Sequence, residues 1–135
     1  MEKIRNFGIL VLFVVLQFCQ SCEAKIHVQI ANRLGDGQSM RLHCQSKDDD
    51  LGVVVLENEQ ETEWSFGTNF FGTTLFYCDV RWGNLTSWYS FDAYSADRDY
   101  SRCKTVCRWM ISHEGMLFGY NENLGTWELY SLTRT

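Results

Sequence analysis

The chain has 135 residues, six cysteines, no proline and a formal net charge of −5. That acidic balance argues against a nucleic-acid binder or a protein held on an anionic membrane, because both need a basic surface to neutralise phosphate. Arg102, Lys104 and Arg108 are close enough in sequence to form a local basic patch, but they do not reverse the balance.

Lys3 and Arg5 form a short basic start, residues 7–18 are almost continuously apolar, and Cys22 and Ala24 place small residues three and one positions before a cut. This is the pattern of a secretory signal peptide over residues 1–24, with the mature domain at 25–135. The apolar run falls short of the roughly 20 residues needed to cross a bilayer, so membrane insertion is not expected. Ten basic and fifteen acidic residues remain after Glu2, Lys3, Arg5 and Glu23 leave, which keeps the charge at −5. The mature length suits one domain. Cys19 and Cys22 leave with the leader. The remaining Cys44, Cys78, Cys103 and Cys107 are an even number in an oxidising compartment and point to two disulfides.

Ile26, Val28 and Ile30 alternate with polar neighbours, as in a strand with one buried face. Two glycines and an aspartate in 32–37 suit a turn, and 39–45 returns as a strand, so the chain is expected to open with a hairpin. Residues 48–50 are three aspartates in a loop, and 51–56 is a short apolar strand. Residues 57–61 are polar, 63–66 alternate again, and 67–72 read as a loop carrying two aromatics. Thr74, Phe76, Cys78 and Val80 share one face of a strand expected to be central. Gly83 and Asn84 turn the chain into an aromatic strand at 87–94, followed by a polar loop at 95–100, a strand at 102–111, a turn at 113–115, a strand at 116–120, a turn at 121–125 and a closing strand. Seven to nine short strands without an amphipathic helix predict an all-β fold, a small antiparallel β-sandwich or barrel. The seventeen aromatics of the mature chain fit its core.

If Cys103 and Cys107 lie in a strand they are about 13 Å apart, beyond the roughly 7 Å that a disulfide can bridge. Each then has to pair with Cys44 or Cys78, and the expected bonds are Cys44–Cys107 and Cys78–Cys103. The argument fails if residues 103–107 form a helical turn.

Three chemistries are weighed on these residues. His43-Cys44 and Cys103 with Cys107 supply zinc-ligand types, but the paired knuckles of structural zinc sites are missing. Asp48, Asp49 and Asp50 are consecutive, whereas calcium loops alternate their ligands around a glycine. His27, His43 and His113 could serve a secreted acid–base hydrolase or ribonuclease, with His27 and His43 side by side if their strands pair. No nucleophile elbow, metal helix or phosphate loop accompanies them. No catalytic residue, metal or cofactor is therefore expected. Asn84-Leu85-Thr86 is an N-glycosylation sequon on a turn.

The combination of Leu42-His43-Cys44-Gln45-Ser46-Lys47-Asp48-Asp49-Asp50-Leu51-Gly52, Trp64-Ser65-Phe66, Thr74-Leu75-Phe76-Tyr77-Cys78, Phe91-Asp92-Ala93-Tyr94 and Cys103-x3-Cys107-x-Trp109 resembles the plant self-incompatibility S1 family, the S-protein homologues. The resemblance spans nearly all of the mature chain and all four of its cysteines. It implies a small secreted plant β-sandwich with two disulfides that acts as an extracellular ligand of a cell-surface membrane protein, through polar surface loops and without catalysis. Lys47, Asp48, Asp49 and Asp50, with Asp97, Arg98 and Asp99, are the residues here that match those loops. A monomer is expected. A secreted defence protein that binds carbohydrate, using an exposed Trp82 or Trp88, is the other alternative to a hydrolase.

Overall fold

A computed structural model describes residues 25–67 and 74–135. The proposed signal peptide and residues 68–73, which take in all but Gly67 of the aromatic loop expected at 67–72, lie outside the described residues. Among the described residues, ten strands and one helical turn follow in order: β1 (Lys25–Asn32), β2 (Met40–Gln45), β3 (Asp50–Leu56), β4 (Glu61–Gly67), β5 (Leu75–Trp82), β6 (Tyr89–Ser95), α1 (Ala96–Asp99), β7 (Val106–Ile111), β8 (Leu117–Asn121), β9 (Thr126–Tyr130) and β10 (Thr133–Arg134). They form two five-stranded sheets, ordered β4-β1-β7-β8-β9 and β10-β6-β5-β2-β3. The strand pairs are antiparallel except for β1 with β7, which run parallel.

The period-two patterns read from the sequence become the inner faces. Ile26, Val28 and Ile30 of β1 are buried, as are Phe76, Cys78 and Val80 of β5. On β7, for which the sequence suggests only a strand, Cys107, Trp109 and Ile111 line the same core. The expected central strand, β5, is the middle strand of its sheet. Trp109 spans the layers. Its ring meets Phe91 at 5.4 Å and Tyr130 at 4.9 Å, and its indole N–H donates to the Ala93 carbonyl at 2.8 Å, so a large apolar ring is buried without orphaning its polar atom.

The expected β1–β2 hairpin does not form. β1 pairs with β4 and β7, and β2 pairs with β3 and β5 in the other sheet. The cause is local. Gly35, Asp36 and Gly37 are three successive residues at positive φ, and the buried Asn32 side chain bridges the sheets. Asn32 donates to the Leu56 carbonyl at 3.0 Å and the Gln38 carbonyl at 2.9 Å, and accepts the Leu34 N–H at 3.0 Å. The connection is therefore an arch between layers.

The four cysteines among the described residues are all bonded, but not in the expected pairs. The pairs are Cys44–Cys78, with Cα atoms 4.0 Å apart, and Cys103–Cys107, at 5.1 Å. The first joins residues directly opposite on β2 and β5. An extended 103–107 segment would hold the second pair too far apart to bond. In fact β7 begins at Val106, and the Cys103 N–H donates to the Asp99 carbonyl as the chain turns out of α1. That turn brings the two cysteines within bridging distance.

Candidate recognition surface

The acidic stretch is the tip of the β2–β3 hairpin. Ser46 closes it from both sides: its N–H donates to the Asp49 carbonyl at 2.7 Å, and its Oγ accepts the Asp49 N–H at 3.1 Å. One Asp50 carboxylate oxygen accepts the Gly52 N–H at 2.8 Å and meets His43 Nε2 at 2.6 Å. Gly52 lies at φ 75°, next to a register shift in the ladder, where a bulge needs the left-handed conformation that glycine adopts freely. The Gly52 N–H, then the His43 side chain, hold the Asp50 carboxyl below the usual carboxylate range. Asp50 thus ties down the base of the loop. Lys47, Asp48 and Asp49 stand exposed beyond it, and Cys44–Cys78 anchors the strand from which they project.

The second charged segment behaves differently. Asp97 and Tyr100 are exposed, Arg98 is half-buried, and Asp99 is fully buried. Its carboxylate accepts from Arg98 Nε and Nη2, each at 2.7 Å, from Arg102 Nε at 2.8 Å and from the Ser95 N–H at 2.9 Å. Burial pushes the Asp99 carboxyl up, but the bonds from Arg98 and Arg102 outweigh it and hold the group below its ordinary value. Arg102 and Arg98 lie over the Trp109 ring at 4.5 and 5.1 Å. Two expectations are corrected here. Asp99 cannot meet a partner, because four donors enclose it, and Arg102 cannot join a surface patch with Lys104 and Arg108, because it is buried in the same ion pair. The signal for this pairing was the three-residue spacing of Asp99 and Arg102, meaningful only once residues 96–99 are known to be helical.

The hairpin tip and α1 lie at one end of the same sheet. Gln45 pairs with Tyr77 and Leu75 with Ser95, so β2 and β6 end where β5 begins. A recess at this end is lined by Lys47, Asp48, Asp49, Leu75 and Tyr77. Asn84 is exposed on the β5–β6 turn at the opposite end, where the Leu85 N–H donates to the Trp82 carbonyl at 3.2 Å.

The histidines do not assemble. His27 meets Glu63 at 3.4 Å, His43 meets Asp50, and His113 Nδ1 bonds the Leu34 carbonyl at 2.7 Å. His27 and His43 belong to different sheets, contrary to the side-by-side expectation. The Leu34 carbonyl, with Asp36 second, raises the His113 pKa. Cys44, weighed with His43 as a zinc-ligand type, is bonded in its disulfide as expected of a cysteine here, and among the described residues no group of three acidic, histidine or cysteine side chains is placed to hold a metal ion. Trp88 lies beneath Arg81 at 4.9 Å and Trp82 packs beside Tyr89 at 6.1 Å.

A sandwich of this order, bound by these cysteines, has relatives. The model of the family described as plant self-incompatibility protein S1 matches residues 27–131. The chain belongs to this family. It is 39% identical over 110 residues to self-incompatibility protein S1 of Papaver rhoeas, covering 81% of this chain and 78% of that one. It is 35% identical over 116 residues to S-protein homolog 29 of Arabidopsis thaliana, covering 84% of each. A solved S-protein homologue, from a family described as small, highly stable, secreted plant proteins, superposes with a TM-score of 0.60 at 20% identity, covering 82% of this chain and 99% of that one. That likeness shows the fold. As an S1-family member the chain is a small secreted plant protein, and among its described residues no helix is long and apolar enough to cross a membrane.

Proposed function

We propose that this S1-family chain is an extracellular recognition ligand for a cell-surface membrane protein, acting by binding and without catalysis. The observation that carries the reading is the hairpin tip: three charged side chains, Lys47, Asp48 and Asp49, project from a strand fixed by the Cys44–Cys78 bond and by the Asp50 contacts. A rigid sheet that presents a short charged loop gives geometric precision at low ordering cost, and the charges set partner choice and approach rate. Asp97 and the exposed edge of Arg98 extend the surface along the same end. The self-incompatibility role named for the Papaver rhoeas relative fits a ligand of this kind. Residues 1–24 serve as the secretion signal, and a glycan on Asn84 stands at the far end, clear of the contact.

The test is binding of the oxidised, secreted protein to plant cells, compared with an Asp48→Asn, Asp49→Asn variant of unchanged melting temperature. The reading expects binding to fall by about tenfold or more, mainly through slower association. Equal binding by the two proteins defeats it.

A further inference from the structure

We propose that the free edge of β3 accepts an extended, basic-flanked segment of the partner protein as an additional strand. This inference rests on the ligand reading above and names the chemistry of the partner.

Four observations converge on β3. It lies at the edge of its sheet, paired on one side only, with β2, among the described residues. Its outward side chains are unusually apolar for an edge: Val53 is 59% exposed and Val55 49%, while Leu51, 39% exposed, borders the recess at the bulge. Between β3 and β4, the edge strand of the other sheet, the sandwich is open to a recess of about 190 Å³ lined chiefly by Leu42, Leu51, Val54, Thr62 and Trp64. The Trp64 indole N–H is buried and finds no acceptor among the described residues.

A strand added beside β3 satisfies these features together. Its backbone continues the ladder along the regular stretch from Val53 to Leu56, beyond the bulge at Gly52. Alternate side chains then point inward over the recess, where one branched aliphatic group fits against Leu42, Val54 and Trp64. The remaining side chains lie beside Val53 and Val55 on the outer face.

Charge decides the occupant. The edge and its flanks carry Asp48, Asp49, Asp50, Glu57, Glu59, Glu61 and Glu63 against Arg33, Arg41 and Lys47. Arg33 is already engaged by Glu59 at 3.3 Å and Glu61 at 3.9 Å. A second copy of the chain is a poor guest. Antiparallel self-pairing centred on Val53 sets Asp49 against Glu57, and like charges directly opposite are repulsive. An apolar strand with lysine or arginine at both ends meets carboxylates at both ends of β3.

The experiment uses the full mature, disulfide-bonded protein, isotopically labelled for NMR. The probe is a nine-residue peptide alternating valine and threonine, with two lysines at each end. One control replaces its central valine with proline and another replaces the lysines with glutamate. The expected result is a saturable shift of the Val53, Val54, Val55 and Leu56 amides and of the Trp64 indole N–H, with slowed exchange of the β3 amides. Neither control peptide should produce it. Val53→Lys with Val55→Lys, both at exposed positions, should weaken the peptide by about tenfold or more while leaving the melting temperature unchanged, and Leu51→Lys alone should do so partly. Shifts confined to other strands, equal binding of the proline peptide, or a protein dimer that Val53→Lys dissociates each overturns the proposal. The readout needs no cell. A negative result here, with Asp48→Asn, Asp49→Asn still losing cell binding, removes β3 and leaves the ligand reading intact, whereas the reverse pattern removes the loop.

Discussion

Two aspartate-rich segments, 48–50 and 97–99, look alike in sequence and end in opposite environments. At 48–50 the backbone turns tightly on Ser46, and the side chains of Asp48 and Asp49 leave the fold. At 97–99 a single helical turn swings Asp99 inward, where Arg98 and Arg102 enclose it above Trp109. A carboxylate remains at the surface unless the fold delivers enough donors to offset its desolvation. Donor supply, a property of tertiary structure, separates a recognition loop from a structural ion pair.

The comparison can be broken most forcefully at Asp99. Asp99→Ala leaves Arg102, only 4% exposed, without its counter-charge, and should cost about 3–5 kcal/mol, read as a fall in the urea midpoint. Asp48→Ala should stay within about 0.5 kcal/mol. Similar losses at the two positions would mean that they do not differ as described.

The two disulfides sharpen the same contrast. Cys44–Cys78 closes a separation of 34 residues and Cys103–Cys107 one of 4. On chain entropy alone, replacing the first pair by alanines should cost about 4 kcal/mol and the second about 2 kcal/mol. Denaturant unfolding of the two double variants measures the order. A larger loss at Cys103–Cys107 would indicate that this bridge acts by holding α1, and with it Asp99, in place.

Acid titration gives the smallest and most local difference. The Asp99 pKa is depressed in the folded protein, so the stability it contributes is fully present above the unfolded carboxyl value of about 3.9 and is lost as pH falls through the folded value. Stability measured from pH 7 to pH 2 should therefore decline below about pH 4, and part of that decline should vanish in Asp99→Asn. Asp50 is also depressed, by the Gly52 N–H and then His43, but it is exposed, so its protonation should loosen the hairpin tip with little effect on global unfolding. Amide exchange at Gly52 reports it.

The sequence was most legible where the physics is local. Alternation in β1 and β5 marked the buried faces, because side chains in a strand change sides at every residue whatever the strand's neighbours. The cysteine count marked two bridges, and the three aspartates at 48–50 marked a solvated loop. The valine run of β3 was recognised as a strand but not as an exposed edge, since exposure depends on which strand lies beside it. The loop at 95–100 was recognised as polar, yet its one helical turn is too short to leave a periodic signal.

By itself, then, the sequence determined an all-β domain, its core faces and its acidic tip. Tertiary structure alone decided that β1 and β2 lie in different sheets, that Cys103 bonds Cys107, and that Asp99 is a buried counter-ion. Each of these depends on chain segments brought together from a distance or turned by a few residues, and a single strand's pattern carries no record of its partners.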